Sequence, residues 1–221
     1  MRVYRALYEK GQPQYAVSVA EKAAVTVYFR NEHSLWNNPN MRIWNLIHME
    51  YFLLGAGALV LHCSYLMYQG KAILFSAPSG TGKTTQAKLW EKNCGARIIN
   101  GDKAVIQKKE GVWYACGYPF HGSAEECLNL SYPIRAVAIV RQSPADFIEQ
   151  LSPLQKLQAI YSETTVNAWD KETVGEVLDR ITDLAEHVTV VCQHCTMREE
   201  ACRTLQCCLN QEEAKRCSCM I

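Results

Sequence analysis

Residues 77–85 read Ala-Pro-Ser-Gly-Thr-Gly-Lys-Thr-Thr, between the apolar run Ala72-Ile73-Leu74-Phe75 and a stretch of helix formers. Residue types in this order can hold phosphate. An anion rich in oxygen needs many donors at close range, and glycine lets backbone amides turn inward without a Cβ clash. The start of a helix adds unpaired amides and the positive end of its dipole. On this reading Ser79, Gly80, Thr81 and Gly82 wrap the anion, and Lys83 reaches the β- and γ-phosphates as a point charge. The Thr84 hydroxyl ligates Mg²⁺, and Thr85 donates from the next position. The spacing is G-x-x-x-x-G-K-[ST], a Walker A phosphate loop, with Ala77 in place of the first glycine. A plain glycine-rich turn would not explain Gly-Lys-Thr at this phase between an apolar strand and a helix. A bound nucleoside triphosphate is the expectation.

Two further residues belong to the same chemistry. Asp102 stands nineteen residues after Lys83, at the end of the short strand Arg97-Ile98-Ile99. His62, in Leu61-His62-Cys63-Ser64, lies on the strand before the phosphate-loop strand, and that hairpin would carry it to the same end of the sheet. Phosphoryl transfer needs charge neutralisation, in-line positioning and an acceptor for the hydroxyl proton. Lys83, Mg²⁺ and the loop amides supply the first two. Asp102 is either the base or a metal or water-mediated ligand. His62 is either an active-site group or a hydrogen-bonded strand histidine. His121, in a Gly/Pro loop, lines an acceptor site or faces solvent. Arg135 and Arg141 bracket an apolar strand, as ordinary salt-bridged arginines or with one reaching a γ-phosphate.

The runs Leu61–Ser64, Phe75–Thr85 and Ile98–Asp102 together resemble the nucleotide core of HPr kinase/phosphorylase and ATP-type phosphoenolpyruvate carboxykinase. The similarity is greatest to the shorter HPr-kinase-like proteins of bacteria, some of which accompany peptide-modification clusters. It is firm over roughly residues 57–125 and looser to about 210. The resemblance implies ATP and Mg²⁺ as cofactors, with Lys83 and Thr84 at phosphate and metal. It puts Asp102 beside the metal and the acceptor hydroxyl, and His62 near both. The implied catalytic set is Asp102, His62 and Lys83, with Thr84 and Asp102 at the metal. Where the family's kinases carry two consecutive aspartates, this chain has Gly101-Asp102.

The elements that must position these residues are legible in outline. Tyr15, Val17 and Val19, then Val25, Val27 and Phe29, alternate as a hairpin. Residues 31–40 read as a loop, and 42–54 as a short buried helix. Strands are expected over Leu59–Tyr68 and 72–75, joined by the turn Gln69-Gly70-Lys71. A helix should run from Lys83 to Cys94 and stop at Gly95. Ala104–Lys108 and Val112–Cys116 form a hairpin, and Ala136–Val140 a buried strand. Ser152-Pro153-Leu154-Gln155 is a capping box with a first-turn proline. Val174, Val177, Leu178, Ile181, Leu184 and Ala185 make a helical stripe behind Asp170. Val188–Cys192 is a strand, and Thr196-x-x-Glu199 a second capping box that opens a helix through about Leu209. The fold class expected is α/β, a phosphate-loop core of mixed sheet with flanking helices and appended N-terminal strands. Within a single domain, 1–221, the strands and loop occupy 1–50, the core 57–210, and a frayed tail 211–221.

Composition bounds the partners. The 221 residues are 48% hydrophobic and 20% charged with a net charge of +1, enough for a core and too neutral to favour nucleic acid or an anionic membrane. The longest apolar run, Tyr51–Leu61, is well short of the roughly 20 residues a bilayer span needs. With no apolar signal core at the start, a cytoplasmic protein is expected. Eleven cysteines, seven of them in the last thirty residues, are read as reduced thiols. A zinc site or redox pair at Cys192-Gln193-His194-Cys195 stays open as the alternative. The function expected is an ATP- and Mg²⁺-dependent phosphotransferase acting on a hydroxyl of a peptide, protein or small molecule. The alternative is a nucleotide-binding regulatory or accessory protein. Its nucleotide and a hydroxyl-bearing acceptor are the expected partners, and association into a homo-oligomer stays open.

Overall fold

The structure is a computed structural model. It describes the backbone of residues 2–9, 12–20 and 25–29, and residues 49–120, 126–168 and 170–218 (the side chains of 216 and 217 aside). The chain divides into two compact units, Met1–Phe52 and Leu53–Ile221.

The first unit carries β1 (Arg2–Glu9), β2 (Gln12–Ala20) and β3 (Val25–Phe29) as an antiparallel sheet in that order. Tyr15 pairs with Phe29, Val17 with Val27 and Val19 with Val25, the register that the two alternating runs imply. The added strand β1 was not expected. The loop expected at 31–40 and the first part of the helix expected at 42–54 lie outside the described residues. Helix α1 (Met49–Gly55) covers the rest.

The second unit holds β4 (Ala58–Tyr68), β5 (Lys71–Ser76), α2 (Lys83–Cys94), β6 (Arg97–Asn100), β7 (Lys103–Lys109), β8 (Val112–Gly117), β9 (Ser131–Gln142), β10 (Phe147–Gln150), α3 (Pro153–Glu163), α4 (Lys171–His187), β11 (Thr189–Cys195) and α5 (Glu199–Ser218). The sheet runs β10-β11-β9-β5-β4-β7-β8, with β6 on the far half of β4. β9 is parallel to both β5 and β11, and the other pairs are antiparallel, so the sheet is mixed. β8 also pairs with the start of β9, so that β9, β5, β4, β7 and β8 close on themselves.

Strand alternation divides the core in two. Leu74, Val137, Ile139, Val190 and Cys192 point to the side covered by α3 and α4, against Ile160, Val177, Ile181 and Leu184. Ile73, Phe75, Ala136, Ala138, Val140 and Val191 point to the other side, against Trp90 of α2 and Leu205 of α5. β9 is buried on both faces, as a central strand with parallel neighbours should be. Trp90, fully buried against Tyr68 and Phe75, anchors the helix that follows the phosphate-type loop. A large buried aromatic contributes about 1.5–3 kcal/mol.

Two local expectations need correction, and one further strand was not expected. The strand β10 has no counterpart in the sequence reading. Thr196 does not form a capping box; its hydroxyl donates to Asp146 and accepts from the Arg198 amide. Residues 211–218 are no frayed tail but the last turns of α5, because Glu213 pairs with Lys71 and Arg135 on the sheet. Among the described residues no helix is long and apolar enough to cross a membrane.

Candidate functional site

The apolar strand β5 ends at Ser76, and the loop 77–82 carries the chain into α2. Gly80 has φ of 81° and Gly82 of 112°, a left-handed backbone that L side chains rarely adopt, so these two glycines are demanded by conformation. Ala77 is buried and lies outside the positive-φ residues, which is why the loop tolerates alanine where the motif has its first glycine. Gly82 caps α2 without a side-chain hydrogen bond, which leaves the first amides of that helix without a side-chain acceptor at the cap. The Lys83 residue is only 7% exposed, and its ammonium donates to the carbonyls of Ala77 at 2.7 Å and Pro78 at 3.2 Å. Burial pulls its pKa below the ordinary value, against the opposing influence of Glu163, Cys63 and Asp102. A buried cation held by carbonyls alone is a group that an anion would stabilise.

Near Lys83 stand the middle of β4 and the end of β6. Thr84 Oγ1 is 3.4 Å from Ser64 Oγ, which also donates to the Gly101 carbonyl at 3.2 Å. Asn100, fully buried, shapes the turn that presents Asp102. Its Oδ1 accepts from the amides of Asp102 and Lys103, and its Nδ2 donates to the carbonyls of Tyr118 and Phe120. The Cys63 amide donates to the Asp102 carbonyl at 3.0 Å, locking that turn to β4.

His62 sits between two carboxylates. Its Nδ1 is 2.9 Å from Glu163 Oε2, and its Nε2 is 3.8 Å from Asp102 Oδ1. Glu163 is the last residue of α3, and its position is set by backbone pairing of the next two residues with β4: a bridge from Thr164 to Leu61, and the Thr165 amide on the Val60 carbonyl. The sequence reading missed Glu163, Asn100 and Ser64. For Glu163 a signal was present: a carboxylate in the last turn of a helix opposes the helix dipole, so it calls for a partner elsewhere.

A cleft of about 720 Å³ opens beside the loop, lined by residues 77–81, the end of β9 at 139–142, and Ala159, Ser162 and Glu163 of α3. Gln142 Nε2 donates to the Thr81 carbonyl, tying β9 to the loop. Arg141 lines this cleft, whereas Arg135 is buried at the other end of β9 and held by Asn210 and Glu213. The structure therefore brings Ser79, Gly80, Thr81, Gly82, Lys83, Thr84, His62 and Asp102 to one end of the sheet; Thr85 follows on the first turn of α2. His121 lies outside the described residues. Cys192 and Cys195 face opposite sides of β11, in the two separate halves of the core, so they form neither a disulfide nor a shared metal site.

A family model described as SynChlorMet cassette protein ScmC matches residues 30–200. No curated protein matches the sequence. Among solved structures, the chain is similar to the Hpr(Ser) kinase/phosphatase from Coxiella burnetii, at 6% identity and a TM-score of 0.41, over 71% of this chain and 96% of that one.

Proposed function

This chain belongs to the family of SynChlorMet cassette proteins ScmC, and from its site we propose an ATP- and Mg²⁺-dependent phosphotransferase that phosphorylates a hydroxyl acceptor. The observation that carries the reading is the buried Lys83 ammonium, which among the described residues donates to loop carbonyls and has Glu163 and Asp102 near enough to act on its charge. Bound ATP with Mg²⁺ would supply the phosphoryl group and neutralise part of its charge. Lys83, the loop amides at 79–82 and Thr85 would hold the phosphates. Thr84 and Asp102 would hold the metal, with Ser64 fixing the Thr84 hydroxyl.

The acid–base part follows from the histidine. A carboxylate can only accept, so Nδ1 of His62 carries a proton toward Glu163. In the neutral imidazole, Nε2 then presents its lone pair toward Asp102. The 3.8 Å between them is too long for a direct hydrogen bond and leaves room for a hydroxyl oxygen in reach of both. Asp102 would take the proton of that hydroxyl, and His62 would orient the hydroxyl by donating to its oxygen when Nε2 carries a proton. Glu163 also bears on the second reading, an accessory protein without transfer. Gly101 stands where the resembled kinases carry an acid, which favours that reading; α3 brings a second carboxylate, Glu163, to the other nitrogen of His62.

The test is incubation with γ-labelled ATP, Mg²⁺ and the products of neighbouring genes. Transfer of label that disappears in Asp102→Asn supports the phosphotransferase. Nucleotide binding with no transfer to any acceptor would favour the accessory protein.

A further inference from the structure

A second group of reactive side chains lies on strands β10 and β11, outside the loop and its acids. Glu149 stands directly opposite Cys192 in the antiparallel register, and His194, two residues on, faces the same side. One carboxylate oxygen, the thiol sulfur and one imidazole nitrogen all lie within 4.8 Å of one another. His194 Nε2 is 2.8 Å from Glu149 Oε2, and its ring is stacked on Phe147 at 4.2 Å between centroids. The three donors are thus held by strand pairing and ring stacking.

We propose that Glu149, Cys192 and His194 bind Zn²⁺ or a zinc-like divalent cation, as three protein ligands with a fourth position left to water. One sulfur, one nitrogen and one carboxylate oxygen are the donors zinc takes, whereas Mg²⁺ takes oxygen alone. The site is therefore distinct in chemistry from the metal position at Thr84 and Asp102. Thiolate and carboxylate together balance the charge of the ion. Cys192 is fully buried, and that burial raises the pKa of its thiol; a metal reverses the effect by binding the thiolate. Glu149 and His194 are partly open, so an ion has a way in. The competing cation is Arg141, whose Nη1 is 3.4 Å from Glu149 Oε2; its side chain is 55% exposed and can turn into solvent. Cys195 takes no part, since its sulfur faces the Arg141 carbonyl on the other side of the strand.

Titration of the purified full chain with Co²⁺ tests this. The expected result is a saturable thiolate-to-cobalt band at stoichiometric metal, displaced by Zn²⁺. It is lost in Cys192→Ser, weakened in Glu149→Gln and in His194→Ala, and unchanged in Cys195→Ser. Arg141→Gln should tighten binding. Glu149→Gln changes a partly exposed side chain, so it keeps the test valid if the buried cysteine variant folds poorly. Absence of any thiolate–cobalt band, or a band that survives Cys192→Ser or depends on Cys195, overturns the proposal, and neither result bears on nucleotide binding.

Discussion

The Nδ1 atom of His62 in β4 lies 2.9 Å from Oε2 of Glu163, 101 residues later at the end of α3. The Glu163 side chain is 10% exposed and the His62 side chain 27%, so the contact is partly shielded from water and more than a surface pair. Glu163→Gln keeps an acceptor for Nδ1 but removes the charge, and Glu163→Ala removes both. Turnover should fall about tenfold or more in the alanine variant and less in the glutamine variant, with a changed pH–rate profile in both, while a lost acid–base group itself costs 10²-fold or more. A purely structural glutamate would lower the melting temperature and leave the pH profile alone.

Lys83→Ala removes the charge from the loop. Charge-assisted hydrogen bonds are worth about 1.5–3 kcal/mol, so ATP affinity measured by calorimetry should drop tenfold or more. The melting temperature of the ligand-free protein should hold or rise, because a desolvated cation is lost. Unaltered ATP affinity would mean that the loop does not bind phosphate.

Asn100→Ala should be the most damaging small change at the site. At a fully buried position it removes the side-chain acceptor of the Asp102 and Lys103 amides and a donor to the carbonyls of Phe120 and Tyr118, the latter keeping the Cys127 thiol. Each buried polar group left unpaired costs about 1–3 kcal/mol, so denaturant unfolding should show a loss of at least about 2 kcal/mol. Turnover per folded molecule should fall too, since the same side chain shapes the Asp102 turn.

Asp183 on α4 links that helix to the hairpin β7–β8. Burial pushes its pKa up, but hydrogen bonds from Lys108 Nζ at 2.8 Å and Trp113 Nε1 at 2.9 Å win, and the carboxyl is held below its ordinary value. A carboxyl with a lower pKa folded than unfolded stabilises the fold above the unfolded value, near about 4, and that stability is lost as pH falls through the folded value. Melting temperatures recorded from neutral pH down to about pH 3 should therefore decline less steeply in Asp183→Asn than in the parent. Parallel curves would show that this pair contributes nothing.

Much of the frame was legible because its signals are local. The turn at Gln69-Gly70, the glycines before Lys83, the stop at Gly95 and the capping box at Ser152 each depend on a few neighbouring residues, and the helices and strands follow from them. The positions of His62 and Asp102 near the glycine loop were legible because a hairpin and a short strand return the chain to that end of the sheet. Glu163 was not, because its position depends on Thr164 and Thr165 pairing with β4, a contact between distant segments. β10 has only four residues, too few for a period to show. The end of α5 is held by Glu213 on Lys71 and Arg135, which no local pattern announces. The cysteine pair at 192 and 195 drew notice by spacing, yet a strand turns residues three apart to opposite faces, and the partner of Cys192 is Glu149 on the neighbouring strand.

The most direct measurement is nucleotide binding and γ-phosphate release from ATP with Mg²⁺, recorded side by side for the parent protein and Asp102→Asn. The substitution keeps the shape and removes the charge, while Lys83 and the loop amides remain. Binding should survive, and release should fall by about 10²-fold or more. Full phosphate release in Asp102→Asn would contradict the phosphotransferase mechanism, whatever the loop binds.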